Sequence, residues 1–245
     1  MGVTEDDRKG AKHVHFYAAD SPFVSSIPIR KALDLEGDTI LAYSMNGEAL
    51  NRDHGFPLRL IAPGYAGVRN VKWVERIVVS DVDAPGAWVR GMSYKYFAPW
   101  IKDLKGIPIE KQPSVYDMPV QSAICDINHG NVTRDDDEVT IQGFAWSGGG
   151  RNIVNVGISI DGGVTWQSAE LGEGKDQESG KAWAWTFWKA IVPIPPHLKE
   201  RDALDVTCRA VDSSFNSQPE RKDMVWNIRG ILNNSWHRVR MPFEE

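Results

Sequence analysis

The chain has 245 residues, 42% of them hydrophobic, so it is long enough to bury one large core or two modest ones. Its formal net charge of -5 and its lack of low-complexity tracts exclude bulk disorder and argue against a nucleic-acid partner. No apolar run approaches the ~18 residues of a membrane span, and the polar N-terminus lacks a signal-peptide core. We therefore expect neither a membrane association nor a targeting segment.

Residues 1–114 predict a domain of mixed α+β structure, which begins with a short helix. The stretch SSIPIRKALDLEGD, residues 25–38, has the signals of a helix start and stop. Ser26 is the expected N-cap, Pro28 falls in the first turn, and Gly37 is the expected end. The sequence therefore predicts one helix of two to three turns here.

Two predicted strands follow in the same domain. The stretch TILAYSMNGEAL, residues 39–50, predicts a strand that enters a turn at Asn46–Gly47, a dipeptide favoured in tight hairpins. The stretch RNVKWVERIVVSDV, residues 69–82, alternates well enough to predict another strand. Prolines interrupt the following residues, and IPIEKQPSVYDMPV, residues 107–120, is interpreted as a linker.

Residues 115–245 predict an all-β domain. The runs EVTIQGFAW, IVNVGISI and ALDVTCRAVD alternate with period two, and Asp161-Gly162-Gly163 is a hairpin signal between two such runs. Several of the ten tryptophans fall in these stretches, which favours packed β-structure. About seven short strands in this length predict an immunoglobulin-like sandwich.

Two further features of this domain predict ordinary structural roles. The acidic run at residues 135–138 is interpreted as a solvated hairpin loop, because no glycine-containing calcium loop follows it. Cys125 and Cys208 lie far apart without metal-ligand spacing, so no zinc site is predicted. Their apolar surroundings lead us to expect buried free thiols.

A local basic cluster interrupts the acidic chain around residues 53–73. It comprises Arg52, Arg59, Arg69, Lys72 and Arg76, opposed only by Asp53 and Glu75. A cluster of this kind indicates a discrete anionic ligand, although solvated strand charges would give the same pattern. By composition alone, His54 is better explained as a loop turn residue than as a ligand contact, and Asp20 as a turn former.

Six long, ordered motifs resemble the sulfite oxidase family of molybdenum enzymes. They are MNGEALNRDHGFPLRL, PGYAGVRNVKW, PVQSAI, GFAWSGGGRNIVNVGISIDGGVTW, KAWAWTFW and WNIRGILNNSWHRV, and the match runs from about His13 to Val239. The resemblance implies that residues 1–114 are the latter portion of a molybdopterin-binding domain. It implies that residues 115–245 are the family's dimerisation domain, which would make the protein a homodimer.

The resemblance also implies what the anion is and which residues hold it. The anion would be the phosphate-bearing pyranopterin of Mo-molybdopterin. The implied cofactor contacts are Asp20, His54, Arg59, Asn70, Val71 and Lys72. These types suit the task, since Arg offers a bidentate fork to phosphate and Lys a movable charge.

Two residues are implied to act on the substrate anion. Tyr94 of SYKYF matches the family's active-site tyrosine, with Tyr96 as a rival because the spacing from Trp88 is one residue long. Arg229 of WNIRG corresponds to an arginine of the anion pocket, and an interdomain salt bridge is its alternative role. Removal of such a charge would leave a buried anion uncompensated.

The family's metal-ligating Cys and haem domain find no match in this sequence, because the Cys lies upstream of the segment around Asp20. We therefore expect a fragment or truncated form of a sulfite oxidase, whose parent oxidises sulfite to sulfate. The alternatives are a non-catalytic dimerising paralogue, a nitrate reductase-type relative, and an unrelated ligand-binding sandwich. Cytochrome c would be the parent's electron acceptor, and the mitochondrial intermembrane space its compartment, with peroxisome or cytosol as alternatives.

Overall fold

A computed structural model describes residues 10–19 and 21–244, which form two compact units. The first unit comprises the chain up to Met118 together with Asn227–Ile231, and the second comprises Pro119–Trp226 and Leu232–Glu245. Both consist mainly of strands, and the described helices are short. No helix in the described ranges is long and apolar enough to cross a membrane.

The first unit is built on a three-stranded antiparallel sheet in the order β2-β1-β7. Its strands are β1 (His13–Ala18), β2 (Val24–Pro28) and β7 (Val74–Ser80). Two small two-stranded pairs complete it: β3 (Ile40–Ala42) with β6 (Arg59–Ile61), and β4 (Ser44–Met45) with β5 (Glu48–Ala49). Apolar side chains from β1, β2, β6 and the approach to β7 form its core.

The strand and turn predictions for this unit are confirmed within shorter bounds. Asn46 and Gly47 join β4 to β5 with φ angles of 54° and 83°, the conformation that favours this dipeptide. The strand expected at residues 69–82 begins only at Val74, because a 3-10 turn occupies Gly67–Arg69. Strands β1 and β2 were not predicted.

The predicted helix exists, but its start was wrong. Helix α1 (Ile29–Leu33) spans five residues and ends at Asp34, before Gly37. Ser26 lies in β2 opposite His15, and its hydroxyl donates to Asp83 and accepts from the Ala84 amide. Pairing with β1 satisfies the backbone here and leaves no role for a serine cap.

Much of the stretch interpreted as a linker packs within the first unit. The Ala66 amide donates to the Tyr116 carbonyl at 2.8 Å, and the Met118 amide donates to the Gly64 carbonyl at 3.2 Å. Val115 is buried and its amide donates to the Tyr94 carbonyl. Residues up to Met118 therefore belong to the loop structure around Gly64.

The second unit contains two four-stranded antiparallel sheets, in the orders β11-β10-β14-β15 and β12-β13-β9-β8. Their strands are β8 (Gln121–Ile127), β9 (Glu138–Trp146), β10 (Ile153–Ser159), β11 (Gln167–Ser168), β12 (Glu170–Leu171), β13 (Thr186–Pro193), β14 (Ala203–Asp212) and β15 (His237–Pro242). Helix α2 (Pro196–Lys199) lies between β13 and β14. Inward side chains of both sheets, including Ile141, Ile158 and Leu204, form one shared core.

The Asp161-Gly162-Gly163 hairpin is confirmed as the connection between β10 and β11. Both glycines have positive φ, 82° and 103°. The Asp161 carboxylate accepts hydrogen bonds from the Thr165 and Ser159 hydroxyls. Partial burial by itself would raise the pKa of Asp161, but these hydrogen bonds outweigh it and lower the pKa to about 2. The hairpin thus closes around an ionised aspartate.

The loop and thiol predictions have different outcomes. Asp135–Asp137 lie in the exposed loop between β8 and β9, where Asp137 pairs with Lys199 at 3.4 Å, so the loop interpretation is confirmed. Cys208 is buried, as expected, and burial raises the pKa of its thiol to about 11. The expectation for Cys125 was wrong: this thiol is free but exposed, at a bulge between Ile124 and Asp126.

Candidate functional site

Arg59 and Lys72 converge on one loop of the first unit. Arg59 Nη1 donates to the His54 carbonyl at 3.0 Å, and Lys72 Nζ donates to the Asp53 carbonyl at 2.6 Å. The two carbonyls are neighbours in the chain. The connection between β6 and β7 therefore reverses direction and returns Lys72 to the side of Arg59.

Gly55 separates the stems of these two cations. A Cβ atom at this position would lie 3.0 Å from the Lys72 Cβ and 3.2 Å from the Arg59 Cβ, and the glycine φ is +107°. A side chain here would be strained and would push the cations apart. The glycine thus allows two like charges to flank one stretch of backbone.

Two buried nitrogens of the site have no hydrogen-bond partner. Arg59 Nε and His54 Nδ1 are buried without a hydrogen-bond partner. Within the described ranges, no carboxylate lies at ion-pair distance from Arg59, and burial lowers the pKa of its guanidinium. An anion bound here would supply both the missing acceptor and the missing charge, so the donor set fits a phosphate-bearing group.

A cavity of about 260 Å³ lies beside Lys72. Its walls are Ala18, Ser21, Phe23, Gly67, Val68, Asn70, Val71, Lys72 and Trp73. The implied contacts at positions 70–72 therefore line a single cavity. His54, Arg59, Tyr94 and Arg229 are not among its walls.

Asn70 and Val71 have structural partners in this arrangement. The Asn70 Oδ1 accepts from the Ala62 amide at 2.7 Å, and its Nδ2 donates to the Ala66 carbonyl at 3.4 Å. Val71 is 1% exposed in the core of the unit. These side chains shape the cavity wall, and the Lys72 ammonium is the charged group beside it.

The basic cluster seen in the sequence does not form one patch. Arg69 is fully buried, donates to the Val115 and Ser26 carbonyls at 3.1 and 2.9 Å, and lies 4.5 Å from the Tyr116 ring centroid. Arg76 is exposed on β7, 3.7 Å from the Tyr17 ring centroid. Arg59 and Lys72 meet at the Asp53–His54 loop, whereas Arg69 and Arg76 lie elsewhere, so a basic count along the sequence overstates the site.

Sequence reasoning missed a polar cluster around Asp83. Its carboxylate lies 3.1 Å from His13 Nδ1 and 3.3 Å from the buried Lys95 Nζ, and it accepts from Ser114 and Tyr116 at 3.0 Å each. Burial raises the pKa of Tyr116 to about 12. The five groups come from four separate segments, so only the tertiary fold brings them together.

The remaining predicted site residues are placed as follows. Tyr94 is partly buried and adjoins Lys95 in the chain, whereas Tyr96 is 46% exposed. Arg229 lies in the Asn227–Ile231 turn of the first unit, and its Nε is buried without a partner. Asp20 lies outside the described residues.

Comparison with known proteins places this architecture in one class. Residues 112–244 match the Mo-co oxidoreductase dimerisation domain, and residues 1–88 match the oxidoreductase molybdopterin binding domain. Human mitochondrial sulfite oxidase is 44% identical over 234 residues, which are 94% of this chain and 42% of the human protein. Nitrate reductase [NADH] 1 of Arabidopsis thaliana is a more distant relative, 36% identical over 95% of this chain and 27% of its own length.

A solved structure agrees with this class. The sulfane dehydrogenase SoxCD from Paracoccus pantotrophus matches with a TM-score of 0.72 and 26% identity, over 97% of this chain and 58% of its own. The two matched domains define a molybdenum-cofactor oxidoreductase. The chain belongs to the sulfite oxidase family of these enzymes. It spans about half the length, or less, of the human and nitrate reductase relatives, 42% and 27%.

Proposed function

We propose that this chain forms part of a sulfite-oxidising molybdenum centre, which converts sulfite to sulfate by oxygen-atom transfer. The observation that carries the proposal is the convergence of Arg59 and Lys72 on the Asp53–His54 loop with buried donors left unused. Fixed cationic donors without an internal acid are what a phosphate-bearing cofactor requires.

Each residue has a role that its position supports. Arg59 and Lys72 would hold the phosphate of the pterin, and Gly55 leaves room for both side chains to flank one stretch of backbone. When bound, the molybdenum of this cofactor supplies the oxygen-atom transfer and accepts two electrons. Tyr94 donates a hydrogen bond at the reaction centre, and Arg229 orients the sulfite anion through its unused Nε.

Further parts of the proposal follow from the family. The second unit is an immunoglobulin-like sandwich that makes the protein a homodimer, in line with the matched dimerisation domain. Sulfite is favoured over nitrate as substrate because human sulfite oxidase, at 44% identity, is more similar than nitrate reductase, at 36%. The human relative is a mitochondrial sulfite oxidase by name, which supports a mitochondrial location. Cytochrome c would be the electron acceptor of the parent enzyme.

The test is the pterin content of chain purified from a host that makes molybdenum cofactor, measured by fluorescence after oxidation. We expect Arg59→Ala and Lys72→Ala to lower pterin per chain at least about tenfold, the loss typical of a charge-assisted contact. Arg76→Ala is the matched control, because this exposed arginine lies outside the loop. A wild-type chain that folds but contains no pterin would contradict the proposed cofactor site.

Sulfite turnover with an artificial acceptor is the second measurement. We expect no turnover above background from this chain, because molybdenum in this family needs a cysteine ligand from the protein. The two cysteines of this chain lie in strands of the second unit, and Cys208 is buried in the core. Turnover with stoichiometric molybdenum would show that this expectation is wrong. A folded dimer with neither pterin nor turnover would favour a non-catalytic paralogue.

A further inference from the structure

Trp73 has a backbone conformation that large side chains rarely adopt. Its φ is 53°, in the left-handed region that favours glycine. The residue lies between Lys72 and the first residue of β7, and the pairing of β1 with β7 shifts register at Ala18, the partner of Val74. Strained residues of this kind persist where surrounding contacts hold them, and they concentrate at ligand and active sites.

Each polar group of Trp73 bonds to a segment near the candidate site. Its backbone amide donates to the Gly55 carbonyl at 3.4 Å, and its indole Nε1 donates to the Arg52 carbonyl at 2.9 Å. Its own carbonyl accepts from the Ala19 amide at 2.9 Å. The strained residue therefore joins the end of β1 to the loop of residues 52–55, and these three bonds hold its conformation.

The indole extends the row of donors that the two cations form on this loop. The carbonyls of residues 52, 53 and 54 accept from Trp73 Nε1, Lys72 Nζ and Arg59 Nη1, in that order, at 2.9, 2.6 and 3.0 Å. Three consecutive peptide units are thus fixed by side chains of β6 and of the approach to β7. A shift of the indole would move the first of these units and, through it, the neighbouring carbonyl that holds Lys72.

The Trp73 ring also lies close to the lysine ammonium. Lys72 Nζ is 5.4 Å from the centroid of the ring, within the range of a cation–π interaction. An ammonium has three N–H donors, and the Asp53 carbonyl takes one of them. The ring and the carbonyl together therefore limit where the ammonium can lie, and they leave donors for an anion in the cavity that Lys72 and Trp73 both line.

The hydrophobic core does not explain the presence of this indole. In the part of the chain that the structure describes, the core of the first unit includes Val71 and Val74 but not Trp73, which is only partly buried. Packing against the core is the ordinary reason for a tryptophan beside a strand. At this strained position the bonds to the site loop provide the reason instead.

We propose that Trp73 is a positioning residue of the anion site, which sets the affinity for phosphate through Lys72 and the loop of residues 52–54. The inference rests on the proposed function and extends it, because it assigns a role to a neutral residue that needs no contact with the anion. A residue that only supported the fold would change stability without changing how much Lys72 contributes to phosphate binding.

The affinity of the full chain for inorganic phosphate, measured by NMR titration, tests this role. Trp73→Leu removes both the ring and the Nε1 donor and should weaken phosphate binding about tenfold. Trp73→Phe keeps a ring beside Lys72 and should weaken it about threefold, within the range for one neutral hydrogen bond. Trp100→Leu is the matched control, because Trp100 is 80% exposed in the first unit, and it should leave the affinity unchanged.

A double-mutant cycle separates positioning from general support of the fold. In a Lys72→Gln background, Trp73→Leu should weaken phosphate binding less than about twofold, because the group that the indole positions is gone. Equal weakening with and without Lys72, or an affinity that Trp73→Leu leaves unchanged, would overturn the positioning role and leave the Arg59–Lys72 site standing.

A measurement on the wild-type chain keeps the test open if Trp73→Leu does not fold. The indole N–H signal of Trp73, identified by its loss in Trp73→Phe, should shift when phosphate is added, whereas the Trp100 signal should not. A Trp73 signal that stays fixed while the amides of residues 52–55 respond would overturn the inference alone. A wild-type chain that binds no phosphate would overturn the anion site of the proposed function, and this inference with it.

Discussion

The two units differ in how completely they satisfy their own buried polar groups. In the first unit, His54, Arg59, Arg69 and Arg229 each keep a buried nitrogen without a partner. Among the described residues of the second unit, only Trp188 Nε1 does so. Buried donors are normally paired, and we propose that the unused nitrogens of His54 and Arg59 face a ligand.

Asp212 shows how the second unit treats a buried charge. Its carboxylate is fully buried and accepts from Ser147 Oγ, Arg151 Nε and the backbone amides of Ser214 and Asn216, all within 2.8 to 3.0 Å. Among the described residues, Arg59 in the first unit has the His54 carbonyl as its partner and no acid at ion-pair distance. The carboxylate of Asp212 is therefore satisfied within the second unit, whereas Arg59 keeps a buried Nε without a partner.

The largest expected difference is autonomy. We expect residues 119–245, expressed separately, to fold cooperatively because one core spans both sheets, and residues 1–118 alone to fold poorly. Amide exchange and thermal melting of the two segments would measure this. Equal, cooperative unfolding of both would remove the contrast between the units.

A single substitution should expose the same contrast. Asp212→Ala leaves a partly buried arginine, a buried serine and two amides unpaired, and should cost about 3–5 kcal/mol. Arg59→Ala removes a partly exposed cation that has no ion pair among the described residues, and it should change stability by less than about 1 kcal/mol. Protection of the β14 amides from hydrogen exchange measures the stability of the second unit, and protection of the β6 amides measures that of the first unit. Asp212→Asn, which keeps the shape and part of the acceptor set, should cost less than the alanine variant.

Inorganic phosphate should stabilise the first unit specifically. At ten times its dissociation constant, phosphate bound at Arg59 and Lys72 adds about 1.4 kcal/mol of unfolding free energy. This gain in unfolding free energy should appear as slower hydrogen exchange of the β6 amides. It should vanish in Arg59→Ala and remain in Arg76→Ala. Sodium chloride at equal ionic strength is the control, and an equal gain with chloride would argue for simple screening.

The smallest expected effect is a pH dependence in the sandwich. His237 Nδ1 accepts from the Ile124 amide at 3.0 Å, which requires the neutral ring, and burial lowers the pKa of His237 below 6.5. A lowered folded pKa means that stability is complete above 6.5 and falls as pH decreases below it.

The loss should stay below the ~1.4 kcal/mol per pH unit that one proton allows. His237→Asn, whose amide oxygen can accept the same bond, should flatten the dependence between pH 6.5 and 5.5. Urea denaturation at these two pH values is the measurement, and an unchanged slope in the variant would assign the effect to another group.

Local patterns determined the parts of this protein that local physics controls. The period-two runs of β9 and β14, the Asn46–Gly47 turn and the Asp161–Gly163 hairpin each follow from neighbours within a few residues. The long motifs also identified the family, and they named Arg59 and Lys72, which hydrogen-bond to neighbouring carbonyls of one loop. Their role in holding the cofactor stays a prediction.

Tertiary structure decided everything that depends on distant segments. Ser26 became a strand residue because β1 pairs with it, and Cys125 became exposed because a bulge turns it outward. Arg69 is buried in the core and not part of the basic cluster, because its guanidinium donates hydrogen bonds to the Val115 and Ser26 carbonyls there. The sequence shows that a residue is charged but not whether it is buried, because burial depends on distant segments of the chain. Burial in turn decides whether that charge can bind a ligand or supports the fold.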